Sequence, residues 1–358
     1  MIKALVAVAD YPSEAKVALY YVHTRNVYYV KNGVDITVLN FALQRGEYRI
    51  DGIRVISLKT YDDEKQDYGI LICHAANLRN HYRFLLKHGK RFPRFLFFFH
   101  GHEVMRINHD YAPSYNYMKK GLVRTIFQDM YDSFKLGVWK RYIPSVLDKT
   151  YCVFVSKWML DTFSRNTGIT KKELNGRYSI TYNSVGKAFE TQTYDAASPK
   201  EYDFVTIRSY MDDSKYAVDI VNTLATKTPA GKFLLVGRGH LFEHIKKADN
   251  LKWINSTMSH DEIVWVLNKS RYGLMPTRTD AQGLMMCEMA AFGIPVITSD
   301  IPVCHEVFGG FSNASFIDND EPASLNDFLE KEVVCKKDSR FFFENTASKE
   351  LEIIRSLA

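Results

Sequence analysis

Ten short apolar runs, separated by longer segments of helical character, constrain this chain most. They are "ALVAVA" (4–9), "DITVLN" (35–40), "GILIC" (69–73), "FLFFFH" (95–100), "YCVFVS" (151–156), "YSITY" (178–182), "DFVTI" (203–207), "FLLVG" (233–237), "YGLMP" (272–276) and "PVITS" (295–299). Apolar runs of this length suit parallel strands buried on both faces. Their alternation with helices predicts βαβ units wound into doubly covered sheets. A chain of 358 residues is long enough for two such cores. The composition shifts at "AFETQTYDAASPKEYD" (188–203), a polar stretch holding Pro199 and lacking either period. This places the connection there and predicts an N-terminal domain over 1–188, a C-terminal domain over 202–337, and a helix over 338–358 beyond the final strand. Two helix ends are also legible. Asn32-Gly33 closes the first long helix, and Ser259 with Glu262 forms a capping box before "IVWVL".

Composition narrows the function classes. Apolar residues are 46% and charged residues 25%, as in ordinary globular proteins. No stretch reaches the roughly 18 apolar residues of a membrane-spanning helix. The first apolar run is too short for a secretory signal and meets Asp10 and Pro12 at once, so a cytoplasmic protein is expected. The five cysteines form no CxxC pair and no zinc pattern, which suits a reducing compartment. The net charge of +6 is unevenly placed: residues 79–141 hold thirteen Lys and Arg against four Asp and Glu, a net +9. This segment also interleaves Phe, Tyr and Trp with its cations. That pattern suits an anionic membrane surface, single-stranded nucleic acid, or a solvated basic face over an aromatic core. The membrane surface is the reading carried forward, and nucleic acid is set aside as a partner.

Glu288 is the anomaly. Between Leu284 and Phe292 it is the one charged residue in an otherwise apolar segment, "LMMCEMAAF". A buried carboxylate is costly unless it is partnered or faces a cleft. It could be a core residue tied to a backbone N–H or an arginine. The context favours a cleft: the strand "YGLMP" ends in the polar loop "TRTDAQG", and Gly283 then opens the helix. Ligands of α/β sheets bind at such carboxyl ends, and a helix start presents free N–H groups to phosphate. Asp280 and Glu288 beside that start suit a ligand carrying both hydroxyls and phosphates, such as a nucleotide sugar.

The stretch "PTRTDAQGLMMCEMAAFGIPVITSDIPVCHEV" resembles the donor-site signature of the family 4 retaining glycosyltransferases of GT-B fold. The matching positions are Asp280, Gly283, Glu288, Gly293, Pro295, Val296 and Ile297. The family usually has Glu where this chain has Asp280, a side chain one methylene shorter. "YCVFVSKWMLDTF", "YSITYNSVG", "FLLVGRG" and "STMSHDEIVWVLNKSRYGLMPTRTD" extend the resemblance over residues 150–306. The first 150 match only in the order of elements.

The resemblance implies two Rossmann-like doubly wound domains facing across a cleft, the first on the acceptor side and the second binding the donor, with the C-terminal helix crossing back to the first. Arg208 and Lys215 would face the donor diphosphate, although their spacing is longer than the common family form. Gly283 and Leu284 would add amides, Gly237 would lie beside the nucleotide base, Glu288 would hold ribose hydroxyls and Asp280 sugar hydroxyls. His100, with His102 as second choice, would face the sugar. Read by itself, "HGHE" (100–103) lacks a third ligand for a metal, and "GRGH" (237–240) falls short of a dinucleotide fingerprint. The implied activity is metal-independent transfer of a sugar, with retention, to a glycan or lipid-linked acceptor in bacterial surface polysaccharide synthesis, with no cofactor beyond the donor itself. Two alternatives stay open: a non-catalytic partner subunit of the same fold, kept open by Asp280, and a different enzyme on that fold, such as a nucleotide-sugar epimerase.

Overall fold

The computed structural model describes residues 2–13, 19–119 and 121–358. These form two compact units. The first comprises residues 1–107, 129–184 and 343–358, and the second residues 108–128 and 185–342.

The first unit is built on an eight-stranded sheet. Its strands are β1 (Ile2–Val8), β2 (Val34–Asn40), β3 (Glu47–Ile50), β4 (Ile53–Ile56), β5 (Ile70–His74), β6 (Arg94–Phe99), β7 (Thr150–Phe154) and β8 (Tyr178–Ile180). Their order is β3-β4-β2-β1-β5-β6-β7-β8. Every pair is parallel except β3 with β4. That pair is a hairpin closed by Asp51 and Gly52, both at positive φ, as a two-residue turn of the twist-matched kind requires. The apolar runs of β1, β2, β5, β6 and β7 become interior strands because both faces of the sheet are covered, while β8 forms an edge. β1 is buried from Ala4 to Val8 and β6 from Phe95 to Phe99.

The second unit carries a six-stranded, wholly parallel sheet: β9 (Tyr202–Tyr210), β10 (Phe233–Arg238), β11 (Leu251–Ile254), β12 (Ser270–Met275), β13 (Val296–Ser299) and β14 (Ala314–Ile317). The order is β11-β10-β9-β12-β13-β14. Chain direction across the sheet reverses between β9 and β12, so the loops leaving these two strands part and leave a crevice at their carboxyl ends.

The structure departs from the expected boundaries in two places. The polar stretch 188–203 is not a free connection. Its Tyr194 is buried, donates from its hydroxyl to the Ser270 carbonyl at 2.8 Å and from its amide to Phe292 O at 2.9 Å. The passage from one unit to the other falls at residues 184–185 instead. Residues 108–128, early in the chain, belong to the second unit, where Tyr115 and Tyr117 hydrogen-bond Asp219 and Asp212. The terminal helix Ala347–Leu357 belongs to the first unit. There the Glu350 carboxylate accepts a bifurcated hydrogen bond from Arg25 Nε at 3.0 and 3.1 Å, and both side chains are fully buried. Among the described residues no helix is long and apolar enough to cross a membrane.

Candidate functional site

β9 delivers Arg208 to the crevice. The guanidinium is buried, and its Nη2 donates to Pro276 O, just past β12, at 2.6 Å. Its Nε is buried with no hydrogen-bond partner. Burial pulls its pKa down, opposed by the nearby Asp280 carboxylate. A buried cation with an orphaned donor is costly to the fold, and such costs collect at sites that bind a missing group. The Arg208 guanidinium carbon lies 5.2 Å from the centre of the Tyr216 ring, and Lys215 Nζ lies 4.9 Å from the same ring. Two cations are thus gathered at one strand end. The short turn Ser214–Tyr216 is tied to the loop after β12: the Lys215 carbonyl accepts from Arg278 N at 2.8 Å and from Thr277 Oγ1 at 2.9 Å.

On the β12 side, the Asp280 side chain accepts from Gln282 N at 3.1 Å and Gly283 N at 2.8 Å. It therefore shapes the loop that leads into the helix Leu284–Phe292. Gly283 caps this helix at φ +74°, where a side chain would be strained, and a Cβ there would fall 2.0 Å from Met286 Cε. Leu284 follows as the first helical residue, so its amide has no acceptor within the helix, whereas Gly283 N is taken by Asp280.

Glu288 lies one turn further on and is 5% exposed. Its Oε1 accepts from Gly186 N at 3.2 Å and stands 3.7 Å from His260 Nε2. Burial raises the carboxyl pKa to about 8, with the Gly186 amide opposing, and burial lowers that of His260. The two groups therefore meet near neutrality as uncharged neighbours, and 3.7 Å is too long for a hydrogen bond. A Cβ at Gly186 would lie 2.5 Å from His260 Cε1, so the imidazole would have to move to admit one.

Gly237 is the penultimate residue of β10 and lies against β9, where a Cβ would approach the Arg208 carbonyl to 2.9 Å. The following turn is held by the buried Asp212, which accepts from His240 N at 2.8 and 3.0 Å and from the Tyr117 hydroxyl at 2.9 Å. Arg278 and Asp219 form a bidentate pair at 2.8 and 2.7 Å, joined by the Tyr115 hydroxyl at 2.8 Å.

Within the second unit, then, the fold brings Arg208, Lys215, Gly237, Asp280, Gly283, Leu284 and Glu288 to the carboxyl ends of β9, β10 and β12. His100 belongs to the first unit. It follows β6, and its Nε2 is 3.1 Å from His74 Nδ1. Its backbone amide donates to Glu103, and burial together with the Arg25 charge holds its pKa well down. Sequence reasoning missed Gly186, His260, Asp212, Asp219 and Arg278. Only Gly186 carried a signal, as the glycine closing "NSVG". Among the described residues no group of three or more His, Cys, Asp or Glu is placed to hold a metal ion.

Residues 204–331 match the family described as "Glycosyl transferases group 1". The O-antigen biosynthesis glycosyltransferase WclY of Escherichia coli is 25% identical over 219 residues, spanning 57% of this chain and 59% of that relative's length. Among solved structures, sucrose-phosphate synthase from Thermosynechococcus elongatus superposes with a TM-score of 0.66 at 13% identity, covering 100% of this chain and 95% of that one. WaaG, a glycosyltransferase involved in lipopolysaccharide biosynthesis, superposes at 0.62 with 13% identity over 98% and 99% of the two chains. The fold is GT-B: two α/β units with parallel sheets, as in these glycosyltransferase structures.

Proposed function

We propose that this protein is a glycosyltransferase of bacterial surface polysaccharide synthesis, moving a sugar from a nucleotide-sugar donor to a glycan or lipid-linked acceptor. The observation that carries the reading is the buried, incompletely bonded Arg208 at the switch point of a sheet whose residues 204–331 match a glycosyltransferase family. The O-antigen relative supports the pathway.

In this reading the bond from the anomeric carbon to the diphosphate oxygen breaks, and the leaving diphosphate keeps the electron pair. An acceptor hydroxyl oxygen forms the new bond and passes its proton to the departing diphosphate oxygen. Arg208, Lys215 and the helix-start amide of Leu284 stabilise the charge that develops on the leaving group, because they are fixed before it appears, and Gly283 keeps Asp280 and the helix start in register. Glu288 takes the nucleotide ribose hydroxyls, Asp280 the sugar hydroxyls, and Gly237 lets the base approach the β10 turn. With two cations assigned to the diphosphate, transfer is expected to be metal-independent and to proceed with retention, on the strength of the signature around Asp280 and Glu288. His100 is assigned to the sugar. The site of action is the cytoplasmic face of the membrane, where a lipid-linked acceptor would be presented.

A thermal-shift panel of UDP, GDP, ADP and their sugars tests the reading, run on wild type and on Glu288→Ala. Binding to the folded state raises the melting midpoint by mass action. One nucleotide class should stabilise wild type and not the variant. No shift with any nucleotide would favour a non-catalytic subunit instead. Transfer that is abolished by EDTA and restored by a divalent ion would remove metal independence. Product stereochemistry decides retention.

A further inference from the structure

The turn Ser214–Tyr216, which carries Lys215, does not hold its shape by itself. A single turn of this kind is too short to be stable alone. Ala217, directly after it, sits at φ +52°, where a residue with a Cβ is strained. Ala217 is also fully buried and leads into the helix Val218–Lys227. Such a conformation persists only where the surroundings fix it. Within the second unit, two segments distant in sequence do so. The first is the loop after β12. Arg278 donates from Nη1 to the Ser214 carbonyl at 2.9 Å, beside the two bonds that the Lys215 carbonyl accepts from Arg278 N and Thr277 Oγ1.

The second is "YAPSYNY" (111–117), from the basic, aromatic stretch early in the chain. Ser214 Oγ donates to the Ala112 carbonyl at 3.2 Å. The Tyr115 hydroxyl donates to Asp219 Oδ1 at 2.8 Å, and the same carboxylate holds Arg278. Tyr117 anchors the far end: its hydroxyl bonds Asp212 at 2.9 Å, and its ring stacks on His244 with centres 4.0 Å apart. Lys215 Nζ lies 5.3 Å from the centre of the Tyr111 ring and 4.9 Å from that of Tyr216, both within cation–π range. Asp213 Oδ2 is 3.6 Å away, beyond hydrogen-bond reach. A carboxylate bonded to the ammonium would compete with an incoming phosphate. Aromatic rings restrain a lysine without that competition, and ordering it in advance lowers the entropy cost of binding.

We propose that Tyr111 and Tyr115 are positioning residues for the donor diphosphate: they brace the turn Ser214–Tyr216 so that Lys215 meets the phosphates beside Arg208 in one orientation. This rests on the transferase reading for the identity of the ligand. The brace itself asks only for two linked phosphates, and pyrophosphate carries that chemistry.

The test is calorimetric titration of the full chain with pyrophosphate and, separately, with UDP, GDP and ADP. Tyr115→Phe keeps the ring and deletes the hydroxyl. Its melting midpoint without ligand should stay near wild type, while its pyrophosphate affinity falls roughly fivefold. Tyr111→Leu removes the ring beside Lys215 and should weaken binding by a similar factor. In a Lys215→Met background both substitutions should lose their effect, because they act through that ammonium. Equal pyrophosphate affinity of wild type and Tyr115→Phe would overturn the proposal. So would a loss of the same size in the Lys215→Met background, which a merely structural role would give. Failure of wild type to bind either pyrophosphate or a nucleoside diphosphate would overturn the brace and the transferase reading together. Pyrophosphate binding with the full pattern, but no binding of any nucleoside diphosphate, would sink the transferase reading and leave the brace standing.

Discussion

Arg208 and Glu288 show how single residues divide stability from function. Arg208 is a buried cation with one orphaned donor, and replacing such a group with an apolar side chain of similar size is often neutral or stabilising. Arg208→Met is therefore expected to melt at or above the wild-type temperature while losing the nucleotide-induced shift. A variant that melts far lower would make Arg208 a structural residue. Glu288 adds a pH dependence. Its carboxyl holds its proton up to about 8 when folded, against 4.5 as a free side chain. Between those values the folded state binds more protons than the unfolded state, so this group's stabilisation is complete below 4.5 and falls as pH rises through 8. Glu288→Gln should flatten the decline. Melting midpoints of both proteins across that window give the answer, and parallel curves would show that the carboxyl titrates normally.

At the scale of elements, the site depends on close approaches that tolerate no added carbon. Gly186→Ala would place a methyl 2.5 Å from His260 and displace the amide that Glu288 accepts from. We expect a loss of about 1 to 3 kcal/mol, as for overpacked cores, together with weaker nucleotide binding. Urea unfolding with and without nucleotide separates the two effects, and an unchanged midpoint would mean the loop around Gly186 gives way freely. The elements themselves were unevenly legible. All ten apolar runs became strands, nine of them because a doubly covered strand must be apolar on both faces, while the tenth, Tyr178–Ile180, lies at a sheet edge and is half-buried to exposed. β3, β4, β11 and β14 escaped because strands at or near a sheet edge carry mixed patterns, as in Glu47–Ile50, which alternates exposed and half-buried. The Asp51-Gly52 turn was the available signal for the first two, and a search for apolar runs alone passes over it.

At the scale of the whole molecule, the first unit is closed by its own C-terminus. Arg25 bonds Glu350 through Nε and Asn183 through Nη2 at 2.7 Å, and Tyr29 adds a bond to the same carboxylate. Breaking a buried pair strands the remaining charge, so Glu350→Ala should cost about 3 to 5 kcal/mol. Chemical unfolding followed by tryptophan and tyrosine fluorescence would record it. A cost below 1 kcal/mol would show that water reaches Arg25 once the partner is gone.

Some of this was decided by the chain's local pattern. Most of the interior strands, the capping box at Ser259, the loop and helix start at Asp280–Leu284, and the oddity of Glu288 all depend on residues within one or two turns of each other. Side-chain periodicity and backbone capping act over that range. Other features needed tertiary structure. The pairing of Glu288 with Gly186 and His260, the orphaned Nε of Arg208, the closure of Arg25 on Glu350, and the recruitment of residues 108–128 to the second unit join positions far apart in sequence. Burial and desolvation belong to the packed assembly of side chains. No single stretch of sequence contains them.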